Sequence, residues 1–171
     1  MAVFRKNIIV SLLSFVPLFI LFFLVFSETE FDFEKFSFLS FNLTYILIFY
    51  WVLKNPQILG YGFIFLAGIV NDVVIGLPVG VSSITYLILS GFAAYIRNLT
   101  VQPTLFSDWS TFLPSVVVTN AIYFIILSIF FEIEINYIKL LVKSSITIAI
   151  YPLFWVLFNL LARTFIGGKN V

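Results

Sequence analysis

The sequence predicts an all-α protein that lives in a bilayer, a polytopic bundle of about six transmembrane helices. Three observations predict it. Apolar residues make up 62% of the chain and charged residues 10%, whereas a soluble domain carries about 25% charged residues. Apolar runs recur along the whole length, and at ~20 residues per span six of them use most of the 171 positions. The connections between runs are short and punctuated by proline, glycine and charge. A single integral membrane domain over 1–171 is expected, with spans near 7–26, 39–53, 58–77, 81–96, 111–131 and 143–165.

The first run follows Arg5 and Lys6. It is longer than the apolar core of a signal peptide, and Val25-Phe26-Ser27-Glu28-Thr29 is no small-x-small cleavage site, so an uncleaved helix is expected. Residues 27–40 interleave Glu28, Glu30, Asp32 and Glu34 with Phe31, Phe33, Phe36 and Phe38. This pattern fits an interfacial loop better than a cation site, because aromatic rings anchor at the membrane boundary. The second run is short for a span and ends at Trp51 and Lys54. Asn55-Pro56 then makes a tight connection, since a residue before proline avoids the helical region. The third run carries Asp72. The fourth carries Gly91, Ala93 and Ala94 and closes on Arg97. Residues 98–110 form a polar loop with Pro103 and Asp108. The fifth run has Pro114 in its first turn, where proline is tolerated. The sixth contains Pro152, which should kink the helix unless a neighbour takes up the freed carbonyl.

Basic residues set the orientation. With the N-terminus inside, Arg5, Lys6, Lys54, Arg97, Arg163 and Lys169 fall on the cytoplasmic side, while Lys35, Lys139 and Lys143 fall outside. Both termini are expected in the cytoplasm. The net charge of +1 offers nothing to an acidic partner or to nucleic acid. The chain has no cysteine and no histidine, which removes disulfides, thiolate chemistry and the commonest general base and metal ligand. No catalytic residues, metal or cofactor are expected. Asn42-Leu43-Thr44 and Asn98-Leu99-Thr100 match the glycosylation acceptor pattern, but one lies at a membrane edge and the other in an expected cytoplasmic loop, so both are read as chance.

The stretch 50–86 organises the rest. Gly60, Ile64, Gly68, Asp72 and Gly76 recur every four residues and so share one helical face. Small residues at this spacing are the usual contact surface between membrane helices. The run breaks at Gly76-Leu77-Pro78-Val79-Gly80. Asp72 is the ionisable residue expected deep in a span, where such a group faces the bundle interior. It reads either as a proton or cation site or as interhelical glue meeting Asn71, Asn120, Thr119, Ser83 or Tyr86; the lack of a second charged partner in the spans favours glue. Asn71, Asn120 and Asn159 are expected to hydrogen-bond between helices. Pro56, Gly62, Gly68, Asp72, Gly76 and Gly80 are the candidate helix-packing and partner-interface residues.

Tyr50-Trp51 and Pro56, followed by Gly62-Phe63, Gly68, Asp72, Gly76 and Gly80-Val81, form a spaced run that resembles the rod shape-determining MreD family of bacteria. Tyr151-Pro152-Leu153-Phe154-Trp155 and Arg163 resemble that family's last helix, and the likeness covers most of the chain. The tail is less basic than the family's. The resemblance implies a non-enzymatic protein of the bacterial inner membrane. It would bind MreC within the elongation complex that includes RodA, a penicillin-binding transpeptidase, RodZ and MreB, and would support lateral peptidoglycan synthesis and rod shape. It also implies a fold similar to the substrate-binding component of energy-coupling factor transporters. The rival expectation is a small-molecule-binding subunit of such a transporter, with a pocket lined by Asp72, Asn71, Tyr86 and Asn120 and a coupled ATPase.

Overall fold

The computed structural model describes residues 15–26, 41–100, 104–132 and 136–165, with side chains up to residue 162. The expectations for Arg5, Lys6, the acidic stretch 27–40, the Arg163 side chain and the tail with Lys169 lie outside these residues. Among the described residues the regular structure is entirely helical. The α-helices are α1 (Val16–Phe26), α2 (Leu43–Lys54), α3 (Pro56–Leu59), α4 (Tyr61–Ile75), α5 (Val81–Leu99), α6 (Leu105–Ile125) and α7 (Tyr137–Phe165). A π-helical turn, Ile126–Phe130, continues α6. Among the described residues two stretches, Leu105–Phe130 and Tyr137–Ala162, are long and apolar enough to cross a membrane.

The short second run turns out to be the pillar of the fold. Every residue of α2 from Leu43 to Leu53 is buried, so its apolar surface is covered on all sides by its neighbours. Its neighbours are α1, α5 and α7, and α6 joins them through aromatic rings. Phe49 meets Phe112 of α6 edge-on at 5.0 Å between centroids, and Phe112 stacks on Tyr151 of α7 at 4.3 Å. Tyr45 meets Tyr86 of α5 edge-on at 5.9 Å. Edge-on and offset pairs of this kind suit the charge distribution of aromatic rings. Asn42 starts α2 by accepting the Tyr45 N–H at 3.0 Å, a standard N-cap.

Several boundaries differ from the expected ones. The third run is not one helix. Pro56 opens the single turn α3, and the chain breaks at Gly60 (φ 58°) before α4 begins. The fourth run continues past Arg97 to Leu99. The fifth starts at Leu105 rather than near 111, because Thr104 caps it by accepting the Ser107 N–H at 3.2 Å. Pro114 therefore lies inside α6 and not in its first turn. In α7, Pro152 has no N–H for the carbonyl of Ile148, four residues back. The indole of Trp109 donates to that carbonyl instead, at 2.8 Å. The freed acceptor is thus satisfied from α6, which ties the two longest helices together at the proline.

Candidate functional site

The small-residue face of α4 is folded against its own chain. Gly68 is buried, and a Cβ added there would collide with the Ser83 backbone of α5, lying 2.5 Å from its N. The Ser83 hydroxyl donates to the Phe65 carbonyl at 2.9 Å across the same contact. Gly68 is therefore the point where α4 and α5 touch backbone to backbone. We expect Gly68→Ala to destabilise the fold by about 2 kcal/mol or more, because overpacked helices must separate. A thermal midpoint in detergent equal to that of the parent chain would refute the contact.

Asp72 does not lie in the middle of its helix. It occupies the last turn of α4, is fully buried, and reaches across the turn to the start of α5. Its Oδ2 accepts the Gly80 N–H at 2.7 Å, and its Oδ1 accepts the Ser82 N–H at 2.9 Å. The first N–H groups of a helix have no partner within it, and a carboxylate there also meets the positive end of the helix dipole. Asp72 is thus the N-cap of α5 supplied by the preceding helix. None of the side chains expected as its partners holds it. Asn71 instead donates to the Ser82 hydroxyl at 2.9 Å, and Asn120 to the Ser144 hydroxyl at 2.6 Å. Gly76 and Gly80, at φ 70° and 107°, give the turn its left-handed backbone. Pro56 opens α3, and Gly62 sits on the exposed side of α4 with open space around it. Gly68, Asp72, Gly76 and Gly80 are therefore brought together, whereas Pro56 and Gly62 stand apart from them.

A second polar node lies at the opposite end of the bundle, and the sequence reading missed it. Asp108, in the first turn of α6, is 1% exposed. Its Oδ2 pairs with the Lys54 ammonium at 3.0 Å and accepts the Trp155 indole N–H at 2.8 Å. The Lys54 ammonium also lies 5.6 Å from the centre of the Trp155 ring, within cation–π range. Asp72 is therefore not the one buried acid. Three helices meet on the Asp108 carboxylate: α2 ends there, α6 begins there, and α7 passes it. The available signal was Thr104 with an acid four residues on, a helix start that the surrounding polar residues disguised as loop.

A cavity of about 330 Å³ opens where α1, α4 and α6 end and where α2, α5 and α7 begin. Asn71, Tyr86 and Asn120 line it, as the rival expectation requires, while Asp72 is tied to the turn and is not in its wall. Lys139 and Lys143 of α7 also border it.

No family model, no curated protein and no solved structure gives a significant match to this chain.

Proposed function

We propose that this chain is a non-enzymatic membrane scaffold of the MreD type, which binds MreC and supports lateral peptidoglycan synthesis and rod shape. The observation that carries the reading is what the resembling residues do. Gly68, Asp72, Gly76 and Gly80 all serve one α4–α5 hairpin, so the spaced pattern has a common structural purpose of a kind a family would share. In this reading α1, α2, α4, α5, α6 and α7 are six passes through the bacterial inner membrane, with the N-terminus inside. The Lys54–Asp108 end then faces the cytoplasm, and Lys139 and Lys143 face outward. The bundle's own core is closed, so a partner helix meets its outer surface, where Tyr61, Phe63, Phe65 and Leu66 of α4 are exposed. RodA, a penicillin-binding transpeptidase, RodZ and MreB would join through the larger complex.

The test is a tagged pull-down from the native host in mild detergent, read by mass spectrometry. Recovery of MreC with cell-wall synthases is expected. Recovery of an ATPase pair with a coupling membrane subunit would overturn the scaffold. It would favour the second reading, a small-molecule-binding transporter subunit, which the polar cavity supports.

A further inference from the structure

The wall of the cavity has a chemistry of its own. Its volume, about 330 Å³, is at the small end of the range of ligand pockets. Lys139 and Lys143 stand at its border and neither is free, so discrimination falls to the uncharged groups of the wall. Asn71 and Asn120 each spend one side-chain N–H on a neighbouring hydroxyl, at 2.9 and 2.6 Å. A side-chain amide has two N–H donors and a carbonyl acceptor, so each asparagine keeps one of either kind. The hydroxyls of the wall are placed differently. Thr85, Ser144 and Thr147 give their protons to backbone carbonyls of their own helices, at 2.9, 2.7 and 2.7 Å. A hydroxyl has one proton and two lone pairs, so these three oxygens offer lone pairs only. Asn120 and the Asn42 N–H already take one pair each on Ser144 and Thr147. Tyr45, Thr85 and Tyr86 are at most 5% exposed and form the floor, where the two tyrosine rings meet edge-on at 5.9 Å.

These lone pairs decide the ligand class. Among the named groups, acceptors outnumber the two remaining amide donors. A carboxylate or phosphate brings acceptors alone and sets lone pair against lone pair. A wholly apolar molecule strands both amides, which is costly away from water. A molecule with several hydroxyls satisfies both kinds of group, because each hydroxyl donates one proton to the wall and accepts from an amide N–H. We infer that the cavity binds an uncharged polyhydroxylated molecule of about monosaccharide size. Its hydroxyls meet Asn71 and Asn120, and its C–H surface lies on the tyrosine rings and on Val116 and Leu127. A free polyol and the sugar headgroup of a lipid share this chemistry. The inference goes beyond the scaffold reading and does not rest on it, and it names the ligand class that the transport reading leaves open.

The experiment uses the whole chain purified in a polyoxyethylene detergent, which brings no sugar of its own. Thermal-shift titrations compare glucose and inositol with the charged relatives glucose 6-phosphate and glucosamine. A second arm titrates octyl glucoside below its micellar concentration. A saturating shift with glucose or inositol assigns the site to a soluble polyol, and one with octyl glucoside alone assigns it to a lipid headgroup. In either case Asn71→Ala and Asn120→Ala are each expected to weaken binding about tenfold, the ordinary effect of losing a hydrogen bond to the ligand. The two residues lie on different helices, so a folding defect in one variant leaves the other as the test. Leu153→Ala, on the exposed side of α7, should leave binding unchanged. No saturating shift with any probe would overturn the inference, and so would a preference for either charged relative over glucose. A shift that is the same in both asparagine variants also overturns it, since sugars stabilise proteins generally by exclusion from the surface. Neither arm depends on copurifying partners, so the scaffold reading stands or falls separately.

Discussion

Asp72→Ala is expected to cost the fold about 3 kcal/mol, since it strands two backbone donors and an unsatisfied buried donor costs ~1–3 kcal/mol. The Gly80 and Ser82 N–H groups lose their acceptor, and Ser82 is buried away from any replacement. The charge also favours this position through the α5 dipole. Asp72→Asn is the informative companion. It keeps one carbonyl oxygen for one donor and turns an amide toward the other, so a loss of roughly half is expected. A proton-carrying Asp72 gives a different pattern: Asp72→Asn then leaves the thermal midpoint unchanged and abolishes a pH-dependent activity. Unfolding in detergent, followed by tryptophan fluorescence, separates the two. The cap assignment would be sunk by Asp72→Ala with a parental midpoint.

Asp108→Ala is expected to be as damaging, by about 3 kcal/mol, the lower end of the range for breaking a buried ion pair by removing one partner. The lower end applies because the Lys54 side chain is 12% exposed and retains some access to water. The variant leaves an ammonium and the Trp155 N–H without their shared acceptor. The double variant Lys54→Met/Asp108→Ala removes both charges, and apolar replacement of a buried pair is often close to neutral. It should recover to within about 1 kcal/mol of the parent, the remainder being the stranded indole. A double variant no more stable than the single one would show that the Lys54–Asp108 pairing is not what the carboxylate contributes. Trp155 touches the node directly, so its emission should shift in the single variant before global unfolding.

Much of the bundle was legible in the sequence, because apolar runs and Pro/Gly breaks are local signals. Asp72 stood out as a lone acid between apolar residues, and the four-residue series through Gly68 pointed to the tight helix contact. Its partners were not legible. Backbone N–H groups carry no mark in a sequence, so a search for side-chain partners named the wrong ones. Asp108 was hidden for the opposite reason. It sits among polar residues and becomes buried only when Lys54 and Trp155, both far away along the chain, close over it. The enclosure of α2 was equally silent: its shortness looked like a defect of a span, when it was the mark of a helix surrounded by others. The cavity depends on six helix ends meeting, which no single segment encodes.

That enclosure has a consequence for how the chain is made. A 12-residue helix rises about 18 Å, well short of the ~30 Å hydrocarbon thickness. As it emerges from the ribosome, α2 lacks most of the surfaces that will hold it, since α5, α6 and α7 are all synthesised later. If the chain crosses the bilayer as proposed above, partitioning one segment at a time into lipid cannot complete it. Its biogenesis would then be a late closure, in which the C-terminal half wraps a segment that has waited at the membrane. In that reading, chains truncated before α7 should be recognised as unfinished and degraded by membrane quality control, even though most residues of their segments are apolar.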